Sequence, residues 1–258
     1  MITIKNSEQI ELMRQAGRLL YEVLQMAAHM VKPGVSTKAL NDAVDQMIRD
    51  HHAEPSFFHY EGFPASLCTS VNDCVVHGIP SKKEILREGD IISLDCGVKL
   101  NGWQSDSALT VGVGEISKEA QALIRRTEEC FFEGARRAVA GNRLGDIGHA
   151  VQQHAEKAGY GVVRDLSGHG IGREMHEDPA VYNYGIEHYG APVKAGMTIA
   201  IEPMITLGDW HVESDEDGWF FRTLDGSISS HYEHTIAVME NGLPEILTLP
   251  GFHWEGEN

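Results

Sequence analysis

Five side chains of this 258-residue sequence are of types that hold divalent cations and stand where such groups are costly: Asp95, Asp106, His169, Glu202 and Glu233. Asp95 lies inside the apolar run Ile91-Ile92-Ser93-Leu94-Asp95-Cys96-Gly97-Val98, where a carboxylate is expensive unless it is paired or bound to metal. Asp106 opens a second β-like run that continues to Val113, and the two runs are separated by the turn residues Asn101-Gly102. If the hairpin centre falls between Leu100 and Asn101, the two aspartates are directly opposed; if Asn101-Gly102 are the two turn residues, they are diagonal neighbours. Either register puts both on one face of the hairpin, because the two differ by an even shift. Directly opposed carboxylates would have Cβ atoms about 4.5–5.5 Å apart, a like-charge clash without a cation. That spacing suits two metal ions about 3.5–4 Å apart that share carboxylates.

The C-terminal half supplies the remaining donors. His169 sits in Gly168-His169-Gly170-Ile171-Gly172, between glycines that permit close backbone approach. Glu202 follows the apolar run Met197-Thr198-Ile199-Ala200-Ile201, and Glu233 lies in His231-Tyr232-Glu233-His234-Thr235-Ile236. Four carboxylates and one imidazole in otherwise apolar strands are best accounted for by a binuclear metal site.

These groups need a scaffold, and the periodicity supplies one. Ser7 is a plausible helix cap, with Ile10, Met13, Leu20, Val23, Leu24 and Ala27 at helical spacing before Pro33-Gly34. Ser36 begins a second helix whose Leu40, Ala43, Val44, Met47 and Ile48 form an apolar stripe. Short β-branched runs start at Thr69. Ser117 predicts a third helix to about Val139, and Leu144 to Ala158 a fourth. Strand-like segments return at 160–166, 197–204, 219–224 and 228–239. Two helices then a hairpin, followed again by two helices and strands, predict an α+β domain with helices covering a curved antiparallel sheet.

Composition narrows the partners. The net charge is −17, with no basic block, which argues against DNA or other phosphate backbones as ligands. Cys68, Cys74, Cys96 and Cys130 follow no CxxC or zinc-finger spacing and predict reduced, mostly buried thiols in a cytoplasmic protein. No signal-like apolar region opens the chain and no run of about 18 apolar residues occurs, so no membrane association is expected.

The sequence also closely resembles the type I methionine aminopeptidases, which have the pita-bread fold. The likeness runs from Met13-Arg14-Gln15-Ala16-Gly17 to Glu245-Ile246-Leu247-Thr248. Its specific motifs are Ser70-Val71-Asn72, His77-Gly78-Ile79-Pro80, Gly168-His169-Gly170-Ile171-Gly172 with His176-Glu177-Asp178-Pro179, Ile201-Glu202-Pro203-Met204 and Tyr232-Glu233-His234-Thr235. It implies a pseudo-symmetric fold and one catalytic domain over residues 1–258. It further implies that Asp95 binds one metal bidentately, that Asp106 and Glu233 bridge both metals, and that His169 and Glu202 complete the other site. The two ions would be Mn²⁺, Fe²⁺, Co²⁺ or Zn²⁺, with a bridging hydroxide as nucleophile and Glu202 as proton shuttle.

By the same resemblance His77 and His176 contact substrate, His176 at the developing oxyanion and His77 at the peptide nitrogen beyond it. Phe57, Tyr60, Phe63, Cys68, Met175 and Trp219 would wall a methionine slot, the mapping resting on the flanking Gly62-Phe63-Pro64 and Asp217-Gly218-Trp219. Met175 departs from the pattern, since its counterpart is often aromatic. The implied reaction is removal of the initiator methionine from nascent proteins and peptides when the second residue is small. The enzyme is expected to be a monomer with at most a weak, transient ribosome contact. Two alternatives compete: a proline-directed peptidase of the same fold, and a noncatalytic pita-bread binding protein. The first usually carries a large N-terminal domain, whereas only residues 1–68 precede the strand leading to His77; the second tends to lose metal ligands and gain basic tails.

Overall fold

A computed structural model describes residues 1–215 and 218–255. Asp217, flanking Trp219, and the end of the expected 1–258 domain lie outside the described residues. Two helices lead the chain, α1 (Ser7–Met30) and α2 (Thr37–Asp50). The cap of α1 is Asn6 rather than Ser7. Asn6 Oδ1 accepts from the Gln9 amide at 2.9 Å, and Gln9 Oε1 accepts from the Asn6 amide at 3.0 Å. This reciprocal pair satisfies two backbone donors, which a cap at Ser7 would not do. Ser36 and Ser117 cap as expected, accepting from the amides of Ala39 and Ala120.

The strands of the first half that frame the site are β1 (Cys68–Val71), β2 (Cys74–Val76), β3 (Ile91–Leu100) and β4 (Trp103–Gly112). Leu100 pairs with Trp103, so Asn101-Gly102 form a two-residue turn, with φ of 52° and 78°. Two positive φ values match the twist of a hairpin, and an Asn-Gly pair adopts them at little strain. Helices α3 (Lys118–Ala135) and α4 (Leu144–Glu156) follow, each shorter at its C-terminus than the sequence predicts. At both ends the backbone tightens into three-residue turns, Ala138 to Ala135 and Gly159 to Glu156.

The second set of strands is β5 (Gly168–Gly170), β6 (Glu177–Val181), β7 (Thr198–Ile201), β8 (Met204–Thr206), β9 (Phe221–Thr223), β10 (Ser229–His231) and β11 (Glu233–Ala237). Of the predicted segment 160–166, only Gly161–Val162 is strand, pairing with β8. The runs 197–204 and 228–239 are each broken, at Glu202-Pro203 and at Tyr232. Proline cannot donate to the ladder. The two bends fall side by side, with the Tyr232 amide donating to the Pro203 carbonyl at 3.2 Å.

The main sheet is antiparallel, and five of its strands run in the order β3-β4-β11-β7-β5, with β6 beyond β5 and β1 on β3. The halves bury separate cores. One joins Leu20, Val23 and Leu24 of α1 to Leu94, Cys96 and Val98 of β3; the other joins Phe131 of α3 and Ile147 of α4 to Ile199, Ile201 and Ile236. The expected arrangement of helices over a curved antiparallel sheet is therefore observed. Among the described residues no helix is long and apolar enough to cross a membrane.

Candidate active site

Each of the five expected metal ligands lies on, or directly follows, one of those five adjacent strands. Across the sheet they read Asp95, Asp106, Glu233, Glu202, His169, the first two in chain order and the last three in reverse. Register sets their spacing. Asp95 and Glu233 both face Ala108 of β4, one from each side, and Asp106 stands opposite Gly97. The two aspartates are thus diagonal rather than directly opposed, the consequence of the two-residue turn. Asp106 projects from the same face of β4 as the small Ala108, between the carboxylates of its neighbouring strands.

His169 reaches the cluster because its flanking strands come very close. A Cβ on Gly168 would strike the Ala200 carbonyl oxygen, and one on Gly170 the Asp178 carbonyl oxygen. His169 Nδ1 donates to the Gly170 carbonyl at 2.8 Å, which leaves Nε2 as a lone-pair donor 3.6 Å from Asp106 and 3.8 Å from Glu202. Burial pulls this imidazole down to about 4, so it stays neutral at physiological pH.

The carboxylates are buried together, and oxygens of Asp95, Asp106 and Glu233 have no hydrogen-bond partner among the described residues. Burial pushes Asp106 up to about 8. Burial and then the charges of their neighbours push Asp95, Glu202 and Glu233 well above the usual carboxylate range. Such a set is unfavourable when ionised and becomes favourable around cations. Two groups of donors close enough to hold an ion are present, Asp95-His231-Glu233 and Asp106-His169-Glu233, and they share Glu233.

The cluster forms one wall of a cavity of about 130 Å³, slightly smaller than a protein cavity able to hold benzene, and hence of a size for one side chain. Phe57, Tyr60, Phe63, Cys68 and Trp219 line the rest, with His77 and His176 between them and the carboxylates. Cys68 is brought there by pairing directly with Asp95. Met175 is the exception and corrects the expectation for it. It is fully buried among Met13, Trp103 and Ile171, with Phe57 and Tyr60 packed in front, and does not line the cavity.

His176 Nδ1 is hydrogen-bonded to the Tyr60 hydroxyl at 2.8 Å, and its ring stands edge-on to His169 at 4.3 Å between centroids. Burial, then the neighbouring His169, pull it down to about 4. His77 adopts the left-handed region, φ 59°, and its Nδ1 donates to the Trp219 carbonyl at 3.2 Å. Three features escape the sequence reading. Glu61 also lines the cavity; Tyr60 holds His176 across 116 positions of sequence, for which no local signal exists; and His231 joins the donor cluster only two residues from Glu233, a spacing visible in the sequence.

Residues 11–240 match metallopeptidase family M24. A methionine aminopeptidase of Clostridium acetobutylicum is 54% identical over 249 residues, which cover 96% of this chain and 99% of that one. The chain belongs to the methionine aminopeptidases of metallopeptidase family M24. Methionine aminopeptidase 1 of Bacillus subtilis is 43% identical, with 96% of this chain and 99% of that one covered. The methionine aminopeptidase structure from Thermotoga maritima superposes with a TM-score of 0.94 at 42% identity, covering 96% of this chain and 99% of its own. The fold is therefore the pita-bread α+β fold of M24. A prolidase from Pyrococcus furiosus shares that fold with a TM-score of 0.76, but at 22% identity and with 66% of its length covered. As an M24 metallopeptidase the protein is a divalent-metal hydrolase, and the orphaned, mutually repelling carboxylates fit that requirement.

Proposed function

We propose that this chain removes N-terminal methionine from peptides and nascent proteins whose second residue is small, by hydrolysis at two divalent ions. The observation that carries the reading is a single apolar slot, sized for one side chain, that opens onto the carboxylate–histidine cluster. Asp95 would hold one ion, His169 and Glu202 the other, with Asp106 and Glu233 shared between them. Glu233 belongs to both donor groups, which supports its sharing. The oxygen-rich set with imidazole suits Mn²⁺, Fe²⁺, Co²⁺ or Zn²⁺. When bound, the ions would supply an acidified water for attack and positive charge at the scissile carbonyl.

The remaining steps belong to the chain's own groups. The slot takes the methionine side chain, which fixes the first peptide bond beside the cluster. Glu202 takes the proton of the attacking water and returns it to the departing amine. His176, its Nδ1 hydrogen-bonded to Tyr60, acts in the tautomer protonated at Nε2 and donates a hydrogen bond to the carbonyl oxygen as negative charge develops. His77, its Nδ1 engaged by the Trp219 carbonyl, turns Nε2 toward the peptide nitrogen beyond the scissile bond. The second side chain must pass the metal-site rim while the backbone stays in line, so large residues there are rejected.

The same reading takes residues 1–258 as one catalytic domain, acting as a monomer in the cytoplasm with only transient ribosome contact. Four unpaired, buried cysteines accord with a reducing compartment. The test compares release of the first residue from Met-Ala-Ser, Met-Lys-Ser and Ala-Pro-Ala, with several metals and after chelation. Cleavage of Met-Ala-Ser alone, lost on chelation and restored by metal, is expected. Cleavage of Ala-Pro-Ala in preference would favour the proline-directed alternative, and equal rates on the two methionyl peptides would overturn the size rule.

A further inference from the structure

His231 is a buried group that the reading above leaves unused. It ends β10, and Glu233 begins β11 two residues on, across the break at Tyr232, and both side chains reach one donor cluster. The residue is 2% exposed, and neither ring nitrogen has a hydrogen-bond partner among the described residues. A buried polar group left unpaired is destabilising, so an imidazole retained in that state points to a partner that is not protein.

The distances identify that partner. His231 Nε2 stands 3.6 Å from Glu233 Oε2 and 4.0 Å from Glu202 Oε2, too far for hydrogen bonds. Donors about 2.0–2.2 Å from a common ion stand roughly 3–3.6 Å from one another, which fits the shorter of these separations. His169 Nε2 lies at the same 3.6 Å from Asp106. The two imidazoles therefore approach the carboxylate cluster to comparable distances, each within 4.0 Å of Glu202, and His169 groups with Asp106 and Glu233 while His231 groups with Asp95 and Glu233.

We propose that His231 is a metal ligand of the centre, giving Nε2 to the ion held by Asp95, so that each ion has one imidazole. This rests on the binuclear reading above. A neutral nitrogen adds affinity without adding negative charge and shifts the Asp95-side ion toward metals that favour imidazole over oxygen donors. That site should fill at lower metal concentration than it would with carboxylates alone.

The test uses the full chain stripped of metal and reloaded with two equivalents of Co²⁺. X-ray absorption at the cobalt edge counts imidazoles through their outer-shell scattering. An average of one imidazole per cobalt is expected in the unsubstituted protein and one half in His231→Gln. Calorimetric titration with Co²⁺ should show one of the two binding steps weakened at least tenfold in the variant and the other unchanged. A count of one half in the unsubstituted protein overturns the proposal, and this measurement needs no variant to fold. If that protein still binds two cobalt ions and cleaves Met-Ala-Ser, only the role of His231 falls. If it binds no cobalt, the binuclear reading falls and the proposal with it.

Discussion

The Tyr60 hydroxyl and Nδ1 of His176 share a hydrogen bond at 2.8 Å, although the two residues come from opposite halves of the chain. With the hydroxyl as donor the ring keeps its proton on Nε2, the tautomer that the proposed contact to the carbonyl oxygen requires. Tyr60→Phe keeps the ring that walls the slot and removes only this bond. It should lower kcat and kcat/KM together by roughly 10-fold, against about 10²–10³ for His176→Ala. The double variant should lose little beyond His176→Ala alone, because Tyr60 acts through His176. Steady-state rates on Met-Ala-Ser decide it; a rise in KM alone would make Tyr60 a ground-state contact.

Removal of metal should expose the electrostatic strain of the cluster. Asp106 sits at about 8 in the folded metal-free protein against an ordinary 3.8, so between these values the folded chain holds a proton that the unfolded chain has released. The stabilisation from that proton is present at low pH and lost as pH rises from about 4 to about 8, by at most about 1.4 kcal/mol per pH unit for one group. Urea midpoints measured in chelator and in Co²⁺ across that range should diverge with rising pH. Parallel curves would show that the carboxylates are not strained without metal.

Met175 packs behind Phe57 and Tyr60, against the strand that carries Gly97, whose missing side chain leaves room for it. A phenylalanine there would overpack a closed core, destabilising the fold by about 1–3 kcal/mol. Selection between methionine and leucine should change only as far as Phe57 is pushed into the slot. The measurement pairs a thermal midpoint with the ratio of kcat/KM on Met-Ala-Ser and Leu-Ala-Ser. A changed ratio with an unchanged midpoint would return Met175 to the slot surface.

Gly168→Ala places a Cβ against the Ala200 carbonyl and must pry β5 from β7. His169 then moves away from Glu202, so Co²⁺ affinity should fall by roughly 10–100-fold in one of the two sites. Calorimetric titration reads this directly. Unaltered binding would mean that the strand yields without carrying His169 along.

The sequence by itself determined the helix–hairpin–helix–strand order, placed the hairpin turn near Asn101-Gly102 while leaving two registers open, and singled out the five donors. These are local matters: periodicity, turn chemistry and the cost of a charge in an apolar strand are written in neighbouring residues. It missed the true cap at Asn6, because a cap is chosen by which side chain satisfies two amides at once. Only the tertiary structure decided which donors lie side by side. Strand pairing sets Asp95 and Glu233 on either side of Ala108, and bends at Pro203 and Tyr232 turn Glu202 and His231 into the same space. Side-chain contacts between segments far apart in sequence bury Met175 behind Phe57 and Tyr60 and bring Tyr60 to His176. No local pattern encodes such distances, since they depend on how separate strands order themselves across one sheet.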